Sequence, residues 1–351
     1  MRVVQLGPYP PPHGGVQSNL VAIRDYIRRQ GHACAVINLT RHRGEERDGV
    51  FYPGTPQQVV RLLLNGRYDI IHLHIGGELP LRLLMLALVC TLVPRAKTVF
   101  TFHSGGYPSS PAGRTARPFS LRGFVFRRFD CVIGVNQQLC DLFRRFGVPN
   151  DRIRLIYPHT VPAAPDPGGA LPEPLASFFA RHDPVFITVG LLEPEYDLPL
   201  QIEAMQTILE RLPRAGLAIA GSGSLEADLR ARIAAVPYAD QILLCGDVQH
   251  AATIRAIRQA TALLRTTLYD GDSVAVREAL HLGTPVIATD NGMRPAGVRL
   301  IPVHDRDALV HAVEQVVTAP SERPAAQAPD ESNVKAVRDI YEKILTSGRY
   351  H

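Results

Sequence analysis

Short apolar runs alternate with helix-length stretches from residue 2 to residue 156, break off, and start again at residue 185. This alternation is the strongest constraint in the chain. Parallel strands need a crossover between them, usually a helix, and the helices then cover both faces of the sheet. Strands are expected at 2–6, 33–39, 70–74, 98–103, 131–135 and 153–156, with helices near 16–30, 57–64, 80–92, 119–129 and 137–146. The stretch 158–184 is rich in Pro, Gly and Ala and reads as a linker. Strands are then expected at 185–189, 215–220, 241–244, 262–265 and 285–288. Helices lie between them, and a further one covers 305–317. A last helix over 333–345 is expected to pack back on the first domain. The division is therefore 1–165, a linker 166–184, and 185–330.

At 351 residues the chain suits two domains, and 46% hydrophobic with 20% charged residues excludes disorder over most of its length. Charge is divided unevenly. Residues 1–165 hold 21 Lys/Arg and 9 Asp/Glu, a balance of +12, and the remainder balances at −7. All but one of the basic residues in the first part are Arg, which suits planar contact with phosphate or carboxylate. The first part is thus expected to meet something anionic. Five scattered cysteines, Cys34, Cys90, Cys131, Cys140 and Cys245, lack metal-ligand spacing and read as reduced thiols of a cytosolic protein. The start does not read as a signal peptide. The longest apolar run, 83–93, is about half of what a spanning helix needs.

In sheets of this kind ligands sit beyond the carboxyl ends of the strands. Gly14 and Gly15 follow the first strand and precede a helix whose free N–H groups suit an anion; a plain turn accounts for them equally well. His72 and His74 alternate along one strand and share a face. His72 reads as a buried, satisfied residue, while His74 lies nearer the strand end. His103 ends the next strand, where it is placed to hydrogen-bond a hydroxyl. The richest stretch is RTTLYDGDSVAVREALHLGTPVIA, 265–288. A strand ends at Arg265, an acidic glycine loop carries Asp270, Gly271 and Asp272, and a helix opens at Ser273. The N–H groups of Ser273 and Val274 would face an anion. Asp270 and Glu278 could reach different hydroxyls of one ligand.

These residues resemble the acidic-x7-acidic segment of GT-B glycosyltransferases, in particular family 4. Asp270 stands at the first acid, Glu278-Ala279 at the second, and Gly283-Thr284-Pro285-Val286 follows. The Gly14-Gly15 loop, DIIHLH, TFH, GSGS at Gly221–Ser224 and GDV at Gly246–Val248 extend the resemblance over most of the chain. It implies two doubly wound, Rossmann-like α/β domains facing across a cleft. It also implies a nucleotide-sugar donor, a hydroxyl acceptor, retention of anomeric configuration, and neither metal nor redox cofactor. Asp270 would bond sugar hydroxyls, Ser273 and Val274 the diphosphate, and Glu278 the ribose. Gly221, Gly271 and Asp272 join the donor side and Gly15 the phosphate. His103 would lie near the sugar ring, with Gly14 and His74 on the acceptor side.

One departure matters. The family's Arg and Lys that neutralise the diphosphate are replaced by Leu191 and Tyr196, among Glu193, Glu195 and Asp197. Arg265 is the expected replacement, and Asp197 is expected to cap the helix from Leu198, with Pro199 in its first turn. A cluster of Arg114, Arg117, Arg122, Arg127 and Arg128 reads as a solvated face or as contact with anionic lipid or a lipid-linked acceptor. No nucleic-acid motif is present. The resulting expectation is a cytoplasmic hexosyltransferase, peripheral at the inner membrane face. An inactive sugar- or partner-binding relative and a same-fold phosphorylase or epimerase stand as alternatives.

Overall fold

The computed structural model describes residues 1–11, 14–40, 48–158, 169–269, 273–292, 294–318 and 330–347. The chain divides into two compact units. The first comprises Met1–Pro11, Gly15–Thr160 and Glu331–His351, the second Pro12–Gly14 and Val161–Asp330.

The first unit holds β1 (Arg2–Gly7), β2 (Ala33–Asn38), β3 (Val50–Phe51), β4 (Ile70–Ile75), β5 (Lys97–Phe102), β6 (Cys131–Gly134) and β7 (Ile153–Leu155), in the order β3-β2-β1-β4-β5-β6-β7. Every pairing is parallel. Its helices are α1 (Gly15–Arg29), α2 (Pro56–Asn65), α3 (Leu81–Leu92), α4 (Pro111–Arg114), α5 (Leu121–Phe126) and α6 (Gln137–Arg145). Thr55 caps α2 with Pro56 in the first turn, and Asn136 caps α6 by accepting from Leu139 N at 2.8 Å. The helix expected over 119–129 is shorter. Ser120 accepts from Gly123 N and starts α5, which ends at Phe126. The two-residue β3 was not expected; it is too short to show a period.

Strand alternation sorts this sheet into two faces. Val4, Leu6, Ile71, Leu73, Phe100 and Phe102 point to one face, where Phe126, Phe129, Phe143 and Phe146 join them in one core. Truncating Phe100 there would cost about 3–5 kcal/mol. Val3, Ile70 and Val99 point to the other face. Gln5, His72, His74 and Thr101 share it by parity, so a polar row crosses three strands under α1.

The second unit holds β8 (Val185–Val189), β9 (Gly216–Ala220), β10 (Ile242–Gly246), β11 (Ala262–Arg265), β12 (Val286–Thr289) and β13 (Val298–Ile301), in the order β10-β9-β8-β11-β12-β13. Its helices are α7 (Leu175–Arg181), α8 (Leu198–Arg211), α9 (Glu226–Ala235), α10 (His250–Gln259), α11 (Val274–His281) and α12 (Arg306–Thr318). β13 was not expected, because only Ile301 of its four residues is buried. Two clusters, around Ile219 with Met205 and around Ala218 with Val276, fill the two sides of this sheet. The final helix, α13 (Ser332–Thr346), returns to the first unit, where Val334, Val337, Ile340 and Tyr341 pack with Val3, Ile23 and Ile27.

Candidate active site

The histidines expected at strand ends meet at the carboxyl ends of β4 and β5. His103 follows β5, and its Nε2 lies 3.3 Å from Nδ1 of His74. His74 Nε2 reaches Gln5 Oε1 at 2.9 Å. His72 is fully buried and satisfied, with Tyr341 Oη on Nδ1 at 2.6 Å and Thr101 Oγ1 on Nε2 at 2.7 Å. Burial pushes all three imidazoles below their ordinary range. His103 itself is half-buried. Gly15 opens α1 and is exposed, and Gly14 is half-buried beside it.

In the second unit Ser273 caps α11, its side chain accepting from Val276 N. Val274 is the first helical residue, so the N–H groups expected to face an anion do start this helix. Asp270, Gly271 and Asp272 lie outside the described residues. Glu278 is buried on α11, and its Oε1 lies 2.6 Å from Nε2 of His250 at the start of α10. Burial works against a charged His250. The hydrogen bond to Glu278 and its negative charge together outweigh that and raise the imidazole above its ordinary value.

Arg265 closes β11 and is buried. Its Nη1 donates to the Val189 carbonyl at 2.9 Å, and its guanidinium lies over the Tyr196 ring at 4.5 Å from the centroid. Tyr196, in the loop after β8, thus packs its ring against a cation from β11. Glycine is required at 190, where a Cβ would meet Tyr196 Cε1 at 2.1 Å and Arg265 Nη1 at 2.8 Å. Gly221 has φ 149° and would carry a Cβ 1.7 Å from the Gly190 carbonyl oxygen, so it lets two strand ends approach.

One expectation for the neighbouring loop changes. Asp197 precedes α8, but its side chain caps nothing there. With φ 47°, its carboxylate turns away and accepts from His304 Nδ1 at 2.7 Å. Glu193 accepts from Ser224 N at 2.9 Å and Ser224 Oγ at 2.5 Å, which ties this loop to GSGS. Two of the three carboxylates thus hold this loop to other segments.

Three residues escaped the sequence reading. Gln5 is the one polar residue in the buried run of β1, and that is its signal. His250 opens a helix two residues after the GDV segment already noticed. Arg294 lies in the loop after β12, where its Nη2 donates to Thr267 Oγ1 at 2.7 Å and its Nε to the Thr289 carbonyl at 3.0 Å.

Comparison with known proteins shows the family and the fold. The model for glycosyltransferase family 4 matches residues 13–160, and that for glycosyl transferases group 1 matches 176–330. The chain belongs to the family 4-type, group 1 glycosyltransferases. A phosphatidyl-myo-inositol mannosyltransferase of Mycolicibacterium smegmatis is 26% identical over 346 residues, covering 89% of this chain and 84% of that protein. Its Mycobacterium leprae counterpart is 25% identical over 99% of this chain and 98% of its own length. Among solved structures, Anabaena HepE in complex with UDP-glucose superposes with a TM-score of 0.70 at 15% identity, covering 99% of this chain and 98% of that one. The fold of this glycosyltransferase is GT-B, and the enzyme is a hexosyltransferase.

Proposed function

We propose that this glycosyltransferase moves a hexose from a nucleotide-diphosphate sugar to a hydroxyl of a lipid-linked acceptor, at the cytoplasmic face of an anionic membrane. The observation that carries the donor half is the Ser273-capped start of α11 with the buried Glu278 one and a half turns on. Free N–H groups at Ser273 and Val274 suit a diphosphate, and the Glu278 carboxylate accepts from ribose hydroxyls. As the bond from the anomeric carbon to the diphosphate oxygen breaks, negative charge grows on the leaving group. We assign its balance to guanidinium groups, Arg265 first, with no metal ion. The acceptor oxygen bonds to the same face of the anomeric carbon, and its proton passes to the departing diphosphate. That course retains configuration. The curated relatives are named for a phosphatidyl-myo-inositol acceptor, and HepE was solved with UDP-glucose.

The membrane half rests on a surface of the first unit. Phe119 is 98% exposed, and Leu121, Phe124, Leu81, Met85 and Leu92 are also exposed. α3 and α5 are neighbours, joined where Arg122 donates to the Leu79 carbonyl and Arg128 to Thr91 Oγ1. Residues 79–129 contain eight Lys/Arg and no Asp or Glu. Apolar side chains in a segment whose charges are all positive match anionic headgroups over acyl chains. Among the described residues no helix is long and apolar enough to cross a membrane.

The test is a thermal-shift screen of the full chain against nucleoside diphosphates and nucleotide sugars, UDP-glucose among them. Release of nucleoside diphosphate is then followed as phosphoinositide vesicles are added. A binder at one hundred times its Kd adds about 2.7 kcal/mol of stability. Silence from every nucleotide rejects the donor reading.

A further inference from the structure

Gln5 is completely buried in β1, and its amide has no freedom of orientation. The Nε2 end lies 3.1 Å from the Leu20 carbonyl oxygen and 3.5 Å from Cys34 Sγ. A carbonyl oxygen only accepts, so this end must be the NH2 group. The Oε1 end then faces His74 Nε2 at 2.9 Å. An amide oxygen also only accepts, so His74 carries its proton on Nε2.

His74 is 1% exposed and lies against His72, with ring centroids 3.9 Å apart. A second proton would bury a charge against another imidazole, so the ring stays neutral. Burial, followed by the neighbouring His72 and His103, holds it well below the ordinary imidazole range. A neutral imidazole with its proton on Nε2 has only a lone pair on Nδ1. His103 Nε2 is 3.3 Å from that lone pair and must be the donor. Burial also holds His103 below its ordinary range, so that ring is neutral as well and its Nδ1 is left unprotonated. Among the described residues it has no protein partner, and it is not sealed from solvent.

We propose that Gln5 and His74 are positioning residues that lock His103 as the Nε2–H tautomer, so that His103 Nδ1 can only accept a hydrogen bond from a ligand hydroxyl. The assignment runs from a backbone carbonyl through an amide and one imidazole to a second. The Leu20 carbonyl and the Gln5 amide, each end of which has a single hydrogen-bonding role, fix the first steps, and the neutrality of the two buried rings fixes the rest. It deepens the proposed function and rests on His103 facing substrate. The consequence is chemical selectivity. A hydroxyl can donate to Nδ1, whereas a phosphate, ether or carbonyl oxygen offers only a second acceptor. His103 thereby reads sugar or acceptor hydroxyls and rejects the diphosphate.

Nitrogen-15 NMR of the full chain, labelled at histidine, reports which ring nitrogen carries the proton. Signals of His74 and His103 are identified by their loss in His74→Asn and His103→Gln. At pH 7 both rings should show a proton on Nε2 alone. A proton on Nδ1 of His103, or on both of its nitrogens, overturns the proposal. Gln5→Met keeps the side-chain volume and removes both hydrogen-bonding roles. His103 should then show a mixture of tautomers, and turnover of the nucleotide sugar should fall about tenfold. An unchanged His103 pattern in Gln5→Met also overturns it. If Gln5→Met fails to fold, the parent spectrum decides alone. If the tautomers are as stated but no nucleotide sugar is turned over, the functional reading fails and the relay stands.

Discussion

The guanidinium of Arg265 lies 4.5 Å from the centroid of Tyr196 while Nη1 holds the Val189 carbonyl at 2.9 Å. Tyr196 supplies the face that steadies the cation. A planar, fork-shaped donor fits this place and an ammonium does not. Arg265→Lys is therefore expected to lower kcat about 10–100-fold, while the melting temperature falls by only a few degrees. Equal kcat in the variant and the parent would remove Arg265 from the phosphate role. Arg294→Met, at a second cation near these strand ends, should lower kcat as well if both guanidiniums share the charge.

The His250–Glu278 pair gives a pH signature. His250 is raised in the folded chain, so its contribution to stability is complete below the unfolded value of about 6.5. It is lost as pH rises through the raised value. The melting-temperature gap between the parent and His250→Gln should thus be widest at pH 5.5–6 and close toward pH 8.5. Half of this pair is exposed, which keeps the effect small. A gap that widens with pH contradicts the pairing. Glu278→Ala, which removes the carboxylate assigned to the ribose, should weaken nucleoside diphosphate binding about 10–100-fold, read by calorimetry.

How much of this was legible beforehand differs between backbone and side chains. Periodicity is local, so the strands β1, β4, β5 and β8 and most of the helices between them could be read from runs such as VVQL and IIHLHI, though not the one-turn α4. β3 and β13 could not, because two and four residues with few buried positions carry no period. Among site residues, the cap at Ser273 and the strand-end position of Arg265 follow from spacing along the chain. The partners do not. His250 lies 28 residues from Glu278, Gln5 lies 69 from His74, and Tyr341 lies 269 from His72. Tertiary packing brings them together. Asp197 shows the same limit from the other side. A helix start with Asp before Leu-Pro suggests a cap, but a left-handed backbone at that residue turns the carboxylate to His304.

Tyr341 fastens α13 to the first sheet through its hydroxyl on His72 at 2.6 Å, and both groups are fully buried. Tyr341→Phe keeps the ring and leaves His72 Nδ1 without that partner. A buried polar group left without its partner costs about 1–3 kcal/mol. Urea unfolding should show this as a lower midpoint with an unchanged slope. An unaltered midpoint would mean that a water replaces the hydroxyl.

The exposed aromatic at residue 119 separates insertion from simple charge attraction. Phe119 is 98% exposed, and Leu121 and Phe124 stand beside it. In water such a side chain gains nothing from its position. Placed among acyl chains, it gains about 1.5–3 kcal/mol. Phe119→Ser should therefore weaken co-sedimentation with anionic vesicles about tenfold. Arg117→Ala, at an exposed cation two residues away, should act mainly through charge, with an effect that shrinks as salt rises from 0.05 to 0.5 M, about the range over which screening closes in. The Phe119→Ser deficit should persist across that range, because burial of apolar surface does not depend on screening. If Phe119→Ser sediments like the parent with every vesicle, the apolar face has another use. If the deficit instead vanishes with salt, the contact is electrostatic alone, and the ring remains in water.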